Sequence, residues 1–379
     1  MSDETSTLPR LDLLRQMSDR VVFGDLVRGG PATRAELSVT AGLSKPTVSQ
    51  AVRRLAEAGI VEVAGIRAGR RGGVGTVYRV SRTAGAVLAV SVDQSGISIR
   101  AVDLAGELVA EQALAPGSDE DEAALRVRLR HGVVRAKASL PGAAVIRSAV
   151  ISVASPVNPR TNEVVSLPDS PFPAAVRRPA ELLADLVEGP IRVDNDVNLA
   201  ALAERHEGAA MRCDSFVYLY LGAGLGSAIY LANDLVRGAH GLAGEIGWLP
   251  TSATETRRSL ARHYATGSGR GAPAVDVHAS RCTLAGPDET ARQALLAHLG
   301  QSAAHAGAAL CATVDPELIV IGGPLGSIPA VAEAFAAALR STWPQRVAVS
   351  VGALGEQAAL LGATRVGLDD ARNAALAAL

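Results

Sequence analysis

Residues 33–59 constrain this chain more than any other stretch, because local stop and start signals fall there at helix-length intervals. Thr33 and Glu36 have the T-x-x-E spacing of a capping box, which satisfies two free N–H groups at a helix start. A short helix then runs to a glycine turn at Gly42. Ser44 supplies a second N-cap, Pro46 suits a first turn, and Val48, Ala51, Val52 and Leu55 recur at helical spacing until Ala58-Gly59 ends the pattern. The opposite face carries Lys45, Thr47, Ser49, Gln50 and Arg53. Upstream, Val22, Phe23, Leu26 and Val27 predict a helix over 18–29, stopped by Gly29-Gly30-Pro31.

A helix, a tight glycine turn and a polar-faced helix describe a helix-turn-helix, whose second helix enters the DNA major groove. Two short strands are predicted next, Val61 to Ala64 and Thr76 to Val80, around a loop with Arg67, Arg70 and Arg71. Arginines on such a wing can follow phosphates or enter a narrow minor groove. The whole chain has a net charge of -1, but between Ser44 and Arg82 eight basic residues face two acids. A charged face on a lone helix is usually only solvated. Three helices, two caps and a basic hairpin in succession point instead to double-stranded DNA, with Ser44, Lys45, Thr47, Ser49, Gln50, Arg53, Arg67, Arg70 and Arg71 as the contact set.

From Ala86 the pattern changes to short β-rich runs, "AVLAVSVD", "GISIRAVDLAG" and "ELVAEQAL", followed by a helical stretch through 120–138. A similar series restarts with "FVYLYLGAGLGSAIYLAND", a helix-rich stretch 288–313 and "LIVIGG". Two α/β lobes of related layout imply a cleft between them. A length of 379 residues with 48% hydrophobic content suits two or three domains. The start, "MSDETSTLPR", lacks an apolar core, and no run is long enough to span a membrane, so a cytoplasmic protein is expected. Cys213, Cys282 and Cys311 are too far apart for a C-x-x-C metal site.

Three segments of the large module carry chemistry. "VDNDVNLAALAE" (193–204) places Asp196 and Asn198 where they could simply cap a helix starting near Leu199. "GLAGEIGWL" sets Glu245 among glycines, and "LGAGLGSAI" (221–229) sets Gly222, Gly224 and Gly226 in a turn where backbone amides could approach an anion. Together they resemble the motifs of the ROK family, bacterial sugar kinases and repressors on the actin-like, ribonuclease-H-like fold. "DPELIVIGGPLG" and "LGEQAALLGAT" are similar to its carboxyl-terminal motifs, so the resemblance spans about residues 10 to 370.

The resemblance implies that Asp196 stands where the kinases keep the base that takes a proton from a sugar hydroxyl, and that Asn195, Asp169 and Glu245 contact sugar. Trp248 replaces a histidine that contacts sugar or zinc. The kinase run D-x-G-G-T corresponds to "DQSGISI", which keeps Asp93 and Gly96 but has Ser95 at the first glycine; Ala223 replaces a threonine in the second phosphate loop. With both phosphate loops altered ATP is not expected, and with no cysteines after Trp248 in "PTSATETRRSLARHYATG" neither is zinc; His240 and His263 are assigned no role.

The implied architecture is α/β: a winged helix-turn-helix over 1–82, a first lobe over 83–190 completed by a C-terminal helix 367–379, and a second lobe over 191–366. The implied function is a sugar-responsive transcriptional regulator, a homodimeric or larger repressor that releases its operator when carbohydrate binds, and not an enzyme. The alternatives are a sugar kinase with a DNA-binding appendage, or a regulator whose pocket is vestigial and whose signal is another protein.

Overall fold

A computed structural model describes residues 8–68, 74–93, 96–115, 122–142, 144–167, 176–249 and 275–379. The amino-terminal part holds α1 (Leu8–Gly29), β1 (Ala32–Thr33), α2 (Arg34–Thr40), α3 (Lys45–Glu57), β2 (Val61–Ala68) and β3 (Val74–Val80). Both caps form: Thr33 and Glu36 exchange side chain to backbone hydrogen bonds, and Ser44 Oγ accepts the Thr47 N–H. Val48, Ala51, Val52 and Leu55 are all buried. β3 lies between β1 and β2, completing a winged helix.

Two features extend beyond the sequence expectation. α1 begins ten residues earlier, at Leu8 rather than 18, and its added turns leave Leu13, Leu14 and Met17 exposed. These turns carry Leu8, Leu11, Leu14 and Met17 at three-residue spacing, an apolar series that a helix start at 18 passes over. The hairpin strands also run further than expected, with a bulge between Val63 and Gly65.

The large module is built on two five-stranded sheets of one plan. In the first, β4 (Ala86–Asp93), β5 (Gly96–Asp103) and β6 (Leu108–Leu114) form an antiparallel meander. α4 (Glu122–Ala138) follows, and β7 (Ile146–Val153) joins β4 in parallel. A small hairpin, β8 (Val157–Asn158) and β9 (Glu163–Val164), leads to β10 (Ile191–Asn195), which pairs in parallel with β7. The division expected at 190/191 therefore separates β10 from the sheet to which it is hydrogen-bonded. Parallel pairing joins strands distant in sequence and leaves no turn signal to read.

α5 (Asp196–Glu207) opens the second half. There β11 (Phe216–Leu221), β12 (Leu225–Leu231) and β13 (Asp234–Val236) repeat the meander. After α6 (Val277–Ala285) and α7 (Glu289–Val314), β14 (Leu318–Gly322) joins β11 in parallel. α8 (Gly323–Gly326), α9 (Pro329–Thr342), β15 (Ala348–Val351) and α10 (Ala358–Ala377) complete the order. One face of β11 (Val217, Leu219, Leu221) packs on α7 and α9, while Phe216 and Tyr218 pack toward α5.

α10 begins at Ala358 rather than 367, and it touches more than one sheet. Leu360 and Ala363 pack with Ala89, Val150 and Leu199, close enough to α5 that a β-carbon at Gly362 would lie 1.9 Å from the Leu199 carbonyl oxygen. Further along, Leu368, Ala371, Ala375 and Leu376 share a core with Val22, Phe23, Leu26, Val52 and Leu55 of the winged helix. Val87, Val102 and Leu104 of the first sheet complete that core. The DNA-type module is thus joined to the large module by continuous apolar packing. Asp19 and Arg54 lock α1 to α3 through two hydrogen bonds of 2.7 and 3.0 Å.

Candidate functional site

On the winged helix, Ser44, Lys45, Gln50 and Arg53 are exposed, and Thr47 and Ser49 are half-buried on the same side of α3. The Ser44 and Thr47 hydroxyls are 2.7 Å apart, so part of their hydrogen-bonding capacity is internal. Arg53 bonds Glu57 one turn later at 2.9 Å. Arg67 does not project freely from the wing: its guanidinium holds Glu36 at 2.8 Å and the Pro31 carbonyl at 3.3 Å, fastening the hairpin to the capping box. The Glu36 carboxyl is held below its ordinary range first by the Thr33 N–H and then by Arg67. Arg70 and Arg71 lie outside the described residues. Arg34, which the sequence reading passed over, is exposed at the start of α2 with its guanidinium 5.0 Å from the Tyr78 ring centre.

The cleft forms where the two sheets' strand ends meet. Asp93 ends β4, Asp196 begins α5, Tyr218 and Tyr220 come from β11, and Ala223, Gly323 and Pro324 come from the turns beyond β11 and β14. With the first turns of α10 they line a cavity of about 690 Å³. Asn195, Glu245 and Trp248 are not part of that lining, so Asp196 stands at the border between the cavity and the glycine-rich loop that carries Glu245.

The helix cap is Asn195, not Asp196 or Asn198, and the helix starts at Asp196 rather than near Leu199. Asn195 Oδ1 accepts the N–H groups of Val197 and Asn198 at 3.0 and 3.2 Å, and its Nδ2 donates to the Ser155 carbonyl at 3.2 Å. A residue assigned to sugar thus has its side-chain oxygen engaged by the backbone. Asp196 keeps a partly open face toward the cleft, but the surrounding protein pushes its carboxyl up to about 7, helped by the charges of Asp93 and Glu245 and opposed by the Val197 N–H. Burial alone pushes Glu245 up to about 7. Carboxyls poised near neutrality in a cleft suit hydroxyl recognition or proton transfer.

Two residues that the sequence reading left without a role organise this arrangement. Asp194 accepts the Asn195 N–H and the Asn198 amide on one oxygen and the Arg237 guanidinium on the other. Arg237 begins the glycine-rich loop, and its carbonyl accepts the Ala243 N–H. Gly244, at φ +92°, lets its carbonyl accept both the N–H and the hydroxyl of Ser227, in a space where a β-carbon would lie 2.1 Å from the Ser227 carbonyl oxygen. Glu245 is therefore fixed from two sides. Its carbonyl accepts the Trp248 N–H, which closes a single 3-10 turn. Glu204, the last residue of the "VDNDVNLAALAE" motif, is fully buried and accepts the N–H groups of Ala209, Ala353 and Leu354, tying α5 to the approach to α10.

Asp169 and Ser95 lie outside the described residues. Gly96 has φ +123° and abuts the Leu114 carbonyl. The Gly222 N–H bonds the Gly224 carbonyl at 3.0 Å, forming the tight turn expected of this loop, while Gly226 lies in β12 opposite Tyr220. Among the described residues, no group of three or more histidines, cysteines or acids is arranged to hold a metal ion. None of the described helices is long and apolar enough to cross a membrane.

The model of the ROK family matches residues 87–369, most of the chain and nearly all of the two-sheet module. The chain belongs to the ROK family. A MarR family model matches residues 25–72, within the winged helix. Among curated relatives, the xylose repressor of Caldicellulosiruptor bescii is 26% identical over 239 residues, 62% of this chain and 59% of that protein. The match thus spans about three fifths of that relative's length. The crystal structure of a ROK family transcriptional regulator, a homologue of the E. coli Mlc protein, superimposes over 97% of this chain and 100% of its own, with a TM-score of 0.67 and 18% identity. A ROK family glucokinase from Streptomyces griseus, solved with glucose and AMPPNP, covers 75% of this chain and 100% of its own, with a TM-score of 0.59 and 21% identity. These likenesses give the actin-like fold, and repressors and kinases both stand among its relatives.

Proposed function

We propose that this ROK protein is a carbohydrate-responsive DNA-binding regulator, a repressor whose grip on its operator weakens when a sugar occupies the cleft. The observation that carries this reading is the path of α10. Its first turns line the cleft beside Asp196, and its last turns belong to the core of the winged helix. A ligand that prefers one arrangement of the lobes therefore acts on a body to which the DNA module is rigidly packed. Two such modules in a homodimer bind two half-sites, and their spacing sets operator affinity. A coupling of about 1–3 kcal/mol would change that affinity roughly 5- to 150-fold, and DNA would weaken sugar binding by the same factor.

The sugar contacts in this reading are Asp196, Glu245 and Asp169, with the Trp248 ring against the apolar side of the sugar. Ala223 at the threonine position, and the lack of the zinc-binding cysteines, favour a regulator that uses neither ATP nor zinc. The name of the xylose repressors makes pentoses the first sugars to test. The deciding experiment selects DNA from a random library with the full chain, then follows release of the selected duplex by fluorescence anisotropy as sugars are added. Release by a sugar supports the reading; binding that no carbohydrate alters counts against it.

The presence of Asp93 and Asp196 in one cleft favours a second reading, a sugar kinase with a DNA-binding appendage. ATP turnover across the same sugar panel separates the two.

A further inference from the structure

We propose that Tyr220 closes the phosphate position of the cleft, so that the chain excludes nucleoside triphosphates and responds to its effector without them. This inference rests on the reading of the chain as a regulator and names the side chain that separates it from a kinase. Residues 216, 218 and 220 of β11 share one face, by the alternation of a strand, and that face looks toward α5 and the cleft.

The two tyrosines end at glycine turns. A β-carbon added at Gly222 would lie 2.7 Å from Tyr220 Oη and 2.9 Å from Pro324 Cδ. One at Gly323 would lie 2.8 Å from Tyr220 Cδ2, so the ring sits between the turn after β11 and the turn after β14. Tyr218 does the same one step deeper: its oxygen would lie 2.1 Å from a β-carbon at Gly322. The glycines that bare backbone amides for an anion are here covered by phenols of the same chain.

Among the described residues of the cavity lining, the one cationic side chain, Arg281, already bonds Glu356 and the Pro324 carbonyl. Tyr220 lines the cavity together with Asp93, Asp196 and Ala223 of the second phosphate loop. Occupied volume therefore opposes a polyphosphate there.

The test uses the full-length chain and two variants, Tyr220→Ala and Tyr220→Thr, the second keeping a residue suited to a strand. Each is titrated calorimetrically with magnesium ATP and with inorganic pyrophosphate, after a thermal melt shows that it is folded. The expected result is no heat from the natural chain and saturable binding by a folded variant, at least about tenfold tighter than the detection limit. Nucleotide binding by the natural chain overturns the proposal, and so does a folded variant that still ignores both anions. Sugar-driven operator release is measured on the same samples. Its absence from the natural chain counts against the regulator reading, while the titrations judge Tyr220 independently.

Discussion

Arg237 donates two hydrogen bonds to one oxygen of Asp194, at 2.6 and 3.0 Å, and so joins residues 43 positions apart. Asp194 lies one residue before the cap of α5, and Arg237 starts the loop that ends in Glu245. The pair therefore ties the start of α5, where Asp196 lies, to the loop that carries Glu245.

Arg237→Ala leaves Asp194 as a charge that is 8% exposed and has lost its cation. A loss of about 2–4 kcal/mol is expected, because removing one partner of a buried pair strands the other. Chemical denaturation measures it. Sugar affinity should fall more than operator affinity, since the pair lies at the cleft and not in the winged helix.

Protonation of Asp196 and Glu245 should govern both stability and ligand binding. Each carboxyl is raised to about 7, so folding favours the protonated form; this contribution is complete below about pH 4 and is lost as pH rises through about 7. Sugar hydroxyls donate to the ionised form, so sugar affinity is expected to strengthen from about pH 6 to about pH 8, with proton release on binding. Calorimetry in buffers of different ionisation enthalpy checks the sign. Asp196→Ala should abolish the sugar response and leave DNA binding intact.

On the winged helix, Arg67 and the pair Arg70 and Arg71 are expected to behave differently. Changing Arg70 and Arg71 together to Ala should lower operator affinity and reduce the slope of log affinity against log salt by about two, one per phosphate contact. Arg67→Ala removes a guanidinium already held by Glu36, so it should weaken binding with a smaller change in slope. Anisotropy titrations over a range of salt distinguish the two.

Leu368→Ala or Leu376→Ala on α10 should cost about 2 kcal/mol each, by emptying part of the core shared with the winged helix. Sugar binding by the cleft should survive in these variants, while operator release on sugar addition weakens. Equal loss of both would place the coupling elsewhere.

The parts that were legible depend on near neighbours. The Thr33/Glu36 box, the Ser44 cap and the buried face of α3 are i to i+3 and i to i+4 relations, and all formed as read. The strand-rich runs of both sheets were readable for the same reason, because a strand covered on both faces keeps a continuous apolar run such as "AVLAV". The site was half legible. Motif spacing picked out Asp93 and Asp196, which line one cleft, but it gave no sign that the Asn195 side-chain oxygen caps α5.

What the sequence determined by itself was therefore the inventory: which segments become helices and strands, where they stop, and which acids and glycines are available. Partnership was decided only in three dimensions. β10 joins the first sheet, Arg237 finds Asp194, and α10 links the cleft to the winged helix because each relation buries apolar surface or neutralises a charge contributed by distant segments. The value of such contacts depends on what surrounds both partners at once, and no local pattern encodes that.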